Sequence, residues 1–144
     1  MMWHLYVRKR TAYVPTVARI GLGYLDIEPW AVASVADTRA LKRAILDAMS
    51  RGNPNIPVPN LRTLKPVVLK YAKVKSWSEF EKGTSLWRIE ERDGRYRVAP
   101  KQKARDGRGW EDPHPENIRL LPVGISLEEA AEQIASIVQS SLAS

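Results

Sequence analysis

The segment Leu86 to Pro100, LWRIEERDGRYRVAP, limits the fold of this chain more than any other stretch. Asp93-Gly94 supplies the two left-handed residues of a tight hairpin turn, and the arms on either side alternate between apolar and charged residues. A turn there sets Arg92 opposite Arg95, and Glu91 opposite Tyr96, Glu90 opposite Arg97 and Ile89 opposite Val98 follow from it. Trp87, Ile89, Tyr96 and Val98 then share one face, which needs a cover, while the charges take the other. An antiparallel sheet with one buried face is the frame that the remaining segments must fit.

Helical cover comes from segments whose apolar residues recur every three or four positions. With Asp37 or Thr38 as N-cap, Leu41, Ala44, Ile45 and Ala48 follow the i, i+3, i+4, i+7 pattern, and Gly52 ends the helix before Asn53-Pro54. Ser126 and Glu129 form a capping box at the head of a helix from Ser126 to Ala143, which places Leu127, Ala130, Ala131, Ile134, Ile137, Val138 and Leu142 on one face. A shorter helix starts at the Ser76–Glu79 capping box and stops at Gly83, with Trp77 and Phe80 docking it on the sheet.

The other strands carry the period of two. In Trp3 to Arg10, Trp3, Leu5 and Val7 alternate with His4, Tyr6 and Arg8; a turn is expected at Tyr13-Val14-Pro15, and two short strands between Val17 and Ala36. Pro54, Pro57, Pro59 and Pro66 make residues 53–66 an extended arm. Val67 to Val74, apolar on both faces, reads as a central strand. The expected fold is a single α+β domain over residues 1–144: a mainly antiparallel sheet of about five or six strands packed by two longer helices and one short helix.

Composition narrows the function. The chain has no cysteine, which excludes disulfides, a thiolate nucleophile and Cys-built zinc sites, and a reducing cytoplasm is the expected compartment. MMWHLYVRKR reverses the order of a secretory signal, and no apolar run approaches the ~18 residues of a membrane span. The 23 Lys and Arg against 16 Asp and Glu leave a net charge of +7, which favours anionic partners. Two blocks are strongly basic: Arg8, Lys9, Arg10 and Arg19 with no acid in residues 1–20, and Arg62, Lys65, Lys70, Lys73 and Lys75 against Glu79 in residues 61–80. From residue 121 onward the only charges are Glu128, Glu129 and Glu132, so the last helix is acidic.

No constellation for catalysis emerges. His114 lies near Glu111, Asp112 and Glu116, without a periodic element to converge them on a metal. His4 reads as a strand histidine with no orienting partner nearby, and Asp26 and Glu28 as surface residues beside a turn. The expectation is a protein without turnover, metal or cofactor. Lys65, Lys70, Lys73 and Lys75 with Tyr71 and Trp77 suit a nucleic-acid surface, yet the valines between them call for burial and no recognised binding signature is present. Nucleic-acid binding is therefore expected to be weak or nonspecific.

Residues 101–124 form too long a connection to be passive, and Trp110 stands alone there. It is either an aromatic anchor ringed by Arg105, Arg108, Glu111 and Asp112, or a core residue folded back from a solvated loop. On the anchor reading, the polar face of the last helix, with Glu128 and Glu132, adjoins the loop in one partner surface.

Three stretches carry a resemblance: Tyr13 to Val17 (YVPTV), Lys65 to Trp77 (KPVVLKYAKVKSW) and Gly109-Trp110-Glu111. They resemble the immunity proteins of contact-dependent growth inhibition, a family of small bacterial proteins, over most of the chain from about Trp3 to the last helix. The resemblance implies a cytoplasmic protein that binds and neutralises the C-terminal toxin domain of a cognate delivery protein, often a nuclease acting on tRNA or DNA. It transfers no site residues. Immunity proteins against basic nucleases are commonly acidic, and the +7 charge departs from that habit. The alternative is a basic nucleic-acid-binding protein.

Overall fold

The structure is a computed structural model that describes residues 1–142. In chain order its elements are β1 (Met2–Arg8), β2 (Thr11–Ile20), β3 (Gly23–Ser34), α1 (Thr38–Ser50), α2 (Val68–Ala72), α3 (Trp77–Glu81), β4 (Thr84–Arg92), β5 (Arg95–Pro100), β6 (Gln102–Lys103), β7 (Trp110–Glu111), β8 (Arg119–Leu120) and α4 (Leu127–Leu142), with a 3-10 turn at Pro115–Asn117. Six strands make one antiparallel sheet in the order β3-β2-β1-β4-β5-β8, and β6 pairs with β7 in a separate ribbon.

The β4–β5 hairpin has the register expected from Asp93-Gly94, residue for residue from Arg92↔Arg95 to Ile89↔Val98, and both turn residues have positive φ. Trp87, Ile89 and Val98 are buried and Tyr96 is half-buried. Together with Trp3, Leu5 and Val7 of β1 they form the main core, closed by α1 and α4. Asp37 caps α1 by accepting from the Ala40 amide at 3.1 Å, and the helix buries Leu41, Ala44, Ile45, Ala48 and Met49. At the head of α4 the Ser126 hydroxyl accepts from the Glu129 amide at 3.1 Å. That helix buries Ala130, Ala131, Ile134, Ala135 and Val138; the small residues let it lie close to α1. Ala143, expected inside this helix, lies outside the described residues.

Three local expectations are corrected. The first turn is not at Tyr13-Val14-Pro15 but at Lys9-Arg10, both left-handed, and Pro15 sits inside β2 where the register with β3 shifts. A bulge spares the ladder the hydrogen bond that proline cannot donate. Second, the stretch expected as a central strand contains the helix α2, ended by Lys73 in the left-handed conformation. Pro66 opens its first turn by accepting from the Leu69 amide at 3.3 Å, and the valines pack from above onto the sheet. Third, residues 101–124 are not one loop: β8 from this segment is the sixth strand of the sheet, and β6–β7 fold as a ribbon. Two strands do cover the stretch from Val17 to Ala36, both longer than expected: β2 begins at Thr11, and β3 runs through Pro29 to Ser34.

Candidate partner-binding face

The second face of the sheet is only partly covered. Tyr6, Tyr13 and Leu86 project from it into an aromatic cluster with Phe80, and α2, α3 and the β6–β7 ribbon supply Val68, Trp77 and Trp110 from above. Tyr6 lies at the hub, with edge contacts to Trp77, Phe80 and Trp110 at centroid distances of 6.1, 5.7 and 5.9 Å. The helix α3 keeps its place through its capping box. Ser76 accepts from the Glu79 amide at 3.1 Å, while the Glu79 carboxylate accepts from the Lys75 amide at 3.1 Å, one residue earlier than the usual return bond.

Glu81 straps the ribbon to α3. Its carboxylate accepts from the Trp77 indole at 2.5 Å and from the Gly109 amide at 3.2 Å, and its carbonyl accepts from the Lys103 ammonium. The Lys103 ammonium also lies 4.4 Å from the centroid of the Trp110 ring. Burial holds the Lys103 pKa below its ordinary value, against the pull of Glu81. Sequence reading passed over Glu81, although its spacing of four from Trp77 on one helix face was the available signal.

Where this cover stops, a cleft of about 500 Å³ opens between β1, β3 and the arm, lined on its apolar side by Leu25, Ile27, Trp30, Leu64 and Trp77. On its polar side Asp26 accepts from the Tyr6 hydroxyl at 2.5 Å and lies 2.7 Å from His4 Nδ1. His4 thus has the orienting partner that local sequence did not supply, because Asp26 arrives from β3, and Asp26 is half-buried rather than a free surface residue. The trio ties β1 to β3 across β2. Burial first, and then the Asp26 charge, push the Tyr6 phenol well above its ordinary pKa, so it stays a protonated hydrogen-bond donor.

On the far side of His4 the face becomes charged. Arg88 stands directly opposite His4 in the β1–β4 ladder and so shares its face. A hollow of about 260 Å³ lies there, lined by Arg88, Glu90, Arg97 and Asp112. Arg88 reaches Glu90 at 3.4 Å and Asp112 at 3.7 Å, and Arg97 reaches Glu90 at 4.0 Å. Burial and the Arg88 charge lower the Lys101 pKa beside it.

The seven candidate binding residues fall on two sides of the sheet. Trp110 is half-buried against Tyr6 and Trp77, between the two readings the sequence left open, while Arg105, Arg108, Glu111 and Asp112 are exposed around it. Glu128 and Glu132 lie on α4, across the sheet, where both reach Lys42 of α1, at 3.3 and 3.8 Å. His114 and the nearby acids do not converge: among the described residues no group of three or more such side chains could hold a metal ion.

No protein-family model and no curated protein matches the sequence. Solved structures do. A protein of unknown function, NMB0488 from Neisseria meningitidis, is similar with a TM-score of 0.66 at 14% identity, covering 97% of this chain and 93% of that one. A chain of the CdiA-CT/CdiI toxin and immunity complex from Yersinia pseudotuberculosis is similar with a TM-score of 0.62 at 12% identity, covering 94% of each chain. At such identities the likeness is one of fold.

Proposed function

We propose that this chain is an immunity-type protein that binds and neutralises the C-terminal toxin domain of a contact-dependent growth inhibition system, one to one and without turnover. The observation that carries the reading is the fold shared end to end with a chain of a toxin and immunity complex. The half-covered aromatic face supports it, since half-exposed Trp and Tyr side chains beside an open cleft are the usual material of a binding hot spot. The partner surface is the face that carries Trp110, Arg105, Arg108, Glu111 and Asp112. A partner that also engaged Glu128 and Glu132 would have to wrap an edge of the sheet. The compartment in this reading is the cytoplasm, in keeping with the absence of cysteine.

The test is co-expression and calorimetry with the toxin domain encoded beside this gene. Protection of the cells and a one-to-one complex of nanomolar affinity, about −12 kcal/mol, are expected. No heat together with no protection would end the immunity reading.

A further inference from the structure

We propose that the cleft between β1, β3 and the arm takes an acidic segment of a protein partner: one apolar or aromatic side chain seats between Trp30 and Leu64, and flanking carboxylates meet the basic residues at the mouth. This rests on the reading of the chain as a partner-binding protein and adds the chemistry of the partner.

The size and lining of the cleft suit an apolar side chain. About 500 Å³ is ample for a large apolar side chain, and the wall formed by Leu25, Ile27 and Trp30 is apolar. The arm presents its apolar residues instead of burying them: Leu64 is 44% exposed, Leu61 59% and Val58 62%. Leu64 lines the cleft, and a large apolar group left exposed at a cleft marks an interaction site.

The charge beside the cleft suits acidic flanks. The carboxylates of the cleft are already engaged, Asp26 by His4 and Tyr6, and Glu28 by Lys70 at 3.6 Å and Tyr71. Lys65 lines the cleft and is exposed, and it has no ion pair among the described residues. Arg62 stands three residues before Lys65 and Lys75 two before Trp77, another lining residue; both are exposed, as is Lys73, and none of the three has an ion pair among the described residues, so the segments flanking the cleft carry a positive surplus. That surplus repels a second copy of a chain carrying +7. Nucleic acid would suit the lysines, but it has no use for the leucines of the arm, and the rings it would stack on are packed edge-on against one another.

The experiment is fluorescence anisotropy of the full chain with three labelled synthetic peptides: Glu-Glu-Phe-Leu-Glu-Glu, the same peptide with Ala-Ala at its centre, and Lys-Lys-Phe-Leu-Lys-Lys. Saturable binding of the first is expected, at least about tenfold tighter than of either other peptide, and weakened at least about tenfold by Leu64→Glu and by Lys65→Glu. Both positions are exposed, so the variants keep the wild-type melting temperature. Absence of saturable binding, equal binding of the lysine peptide, or full binding by both variants overturns the proposal. So does displacement of the peptide by uridine-rich RNA at the same salt, or self-association of the chain that competes with it. Because no toxin domain is present, failure here alongside a toxin complex sinks only the cleft assignment. Peptide binding without complex or protection sinks the immunity reading instead.

Discussion

The two faces of the sheet bury their central residues equally well, yet they are covered by different means. Trp3, Leu5 and Ile89 vanish beneath α1 and α4, two helices of three turns or more whose Ala-rich inner faces fit closely. Tyr6 and Phe80 on the opposite face are as deeply buried, but their cover is two five-residue helices and a short ribbon held by the Glu81 hydrogen bonds. Helices that short have no stability of their own and stay only where side chains pin them. The closed face therefore stabilises the chain, and the strapped face leaves aromatic rings, a cleft and charge available for recognition.

Truncation should separate the faces first. Trp3→Ala is expected to cost about 3–5 kcal/mol in denaturant unfolding, as a fully buried tryptophan of the closed face. Trp77→Ala on the strapped face should cost less than half of that and still weaken a toxin complex by about 2 kcal/mol or more. Equal stability losses would break the contrast. Trp110→Ala sharpens it. Half-burial against Tyr6 and Trp77 predicts a loss of about 2 kcal/mol, below a full core residue and above a free anchor.

Alkaline pH tests the hub. The Tyr6 phenol is raised above 10.0 by burial and by Asp26, so above that pH the folded chain retains a proton that the unfolded chain releases. Stability should be full below about pH 10 and fall as pH climbs toward the folded pKa, and Tyr6→Phe should flatten that decline. A wild-type curve no steeper than that of the Phe variant contradicts the burial of Tyr6. The smallest effect belongs to the outer surface of the closed face. Glu128→Gln and Glu132→Gln, partners of Lys42 in exposed ion pairs, should shift stability by less than about 0.5 kcal/mol each and leave binding on the opposite face unchanged.

What the sequence disclosed follows the same division. The Asp93-Gly94 turn set the β4–β5 register because turn geometry and alternation agree locally, and Asp37, Ser76 and Ser126 marked helix starts because a cap reads only its next three residues. The helix α2 was hidden: five residues beside β-branched Val67 and Val74 show no helical period, and packing on the sheet overrides their strand preference. Lys9-Arg10 turns the chain without glycine or asparagine, so the usual signal is missing. The His4–Asp26–Tyr6 trio joins strands 20 and 22 residues apart, beyond the reach of any local pattern. Trp110 was visible as an unusual residue, but its half-burial depends on Tyr6 and Trp77, which only the folded sheet brings beneath it.

The proposed partner docks on the strapped face. Amide NMR mapping of the labelled chain, free and titrated with the proposed toxin partner, tests this most directly. Shifts are expected to concentrate in the end of the arm, α2 and the start of α3, residues 61–77, and in the β6–β7 ribbon with Asp112, leaving the outer surfaces of α1 and α4 unmoved. Shifts concentrated on α4 around Glu128 and Glu132, with the cleft and ribbon unchanged, would contradict it.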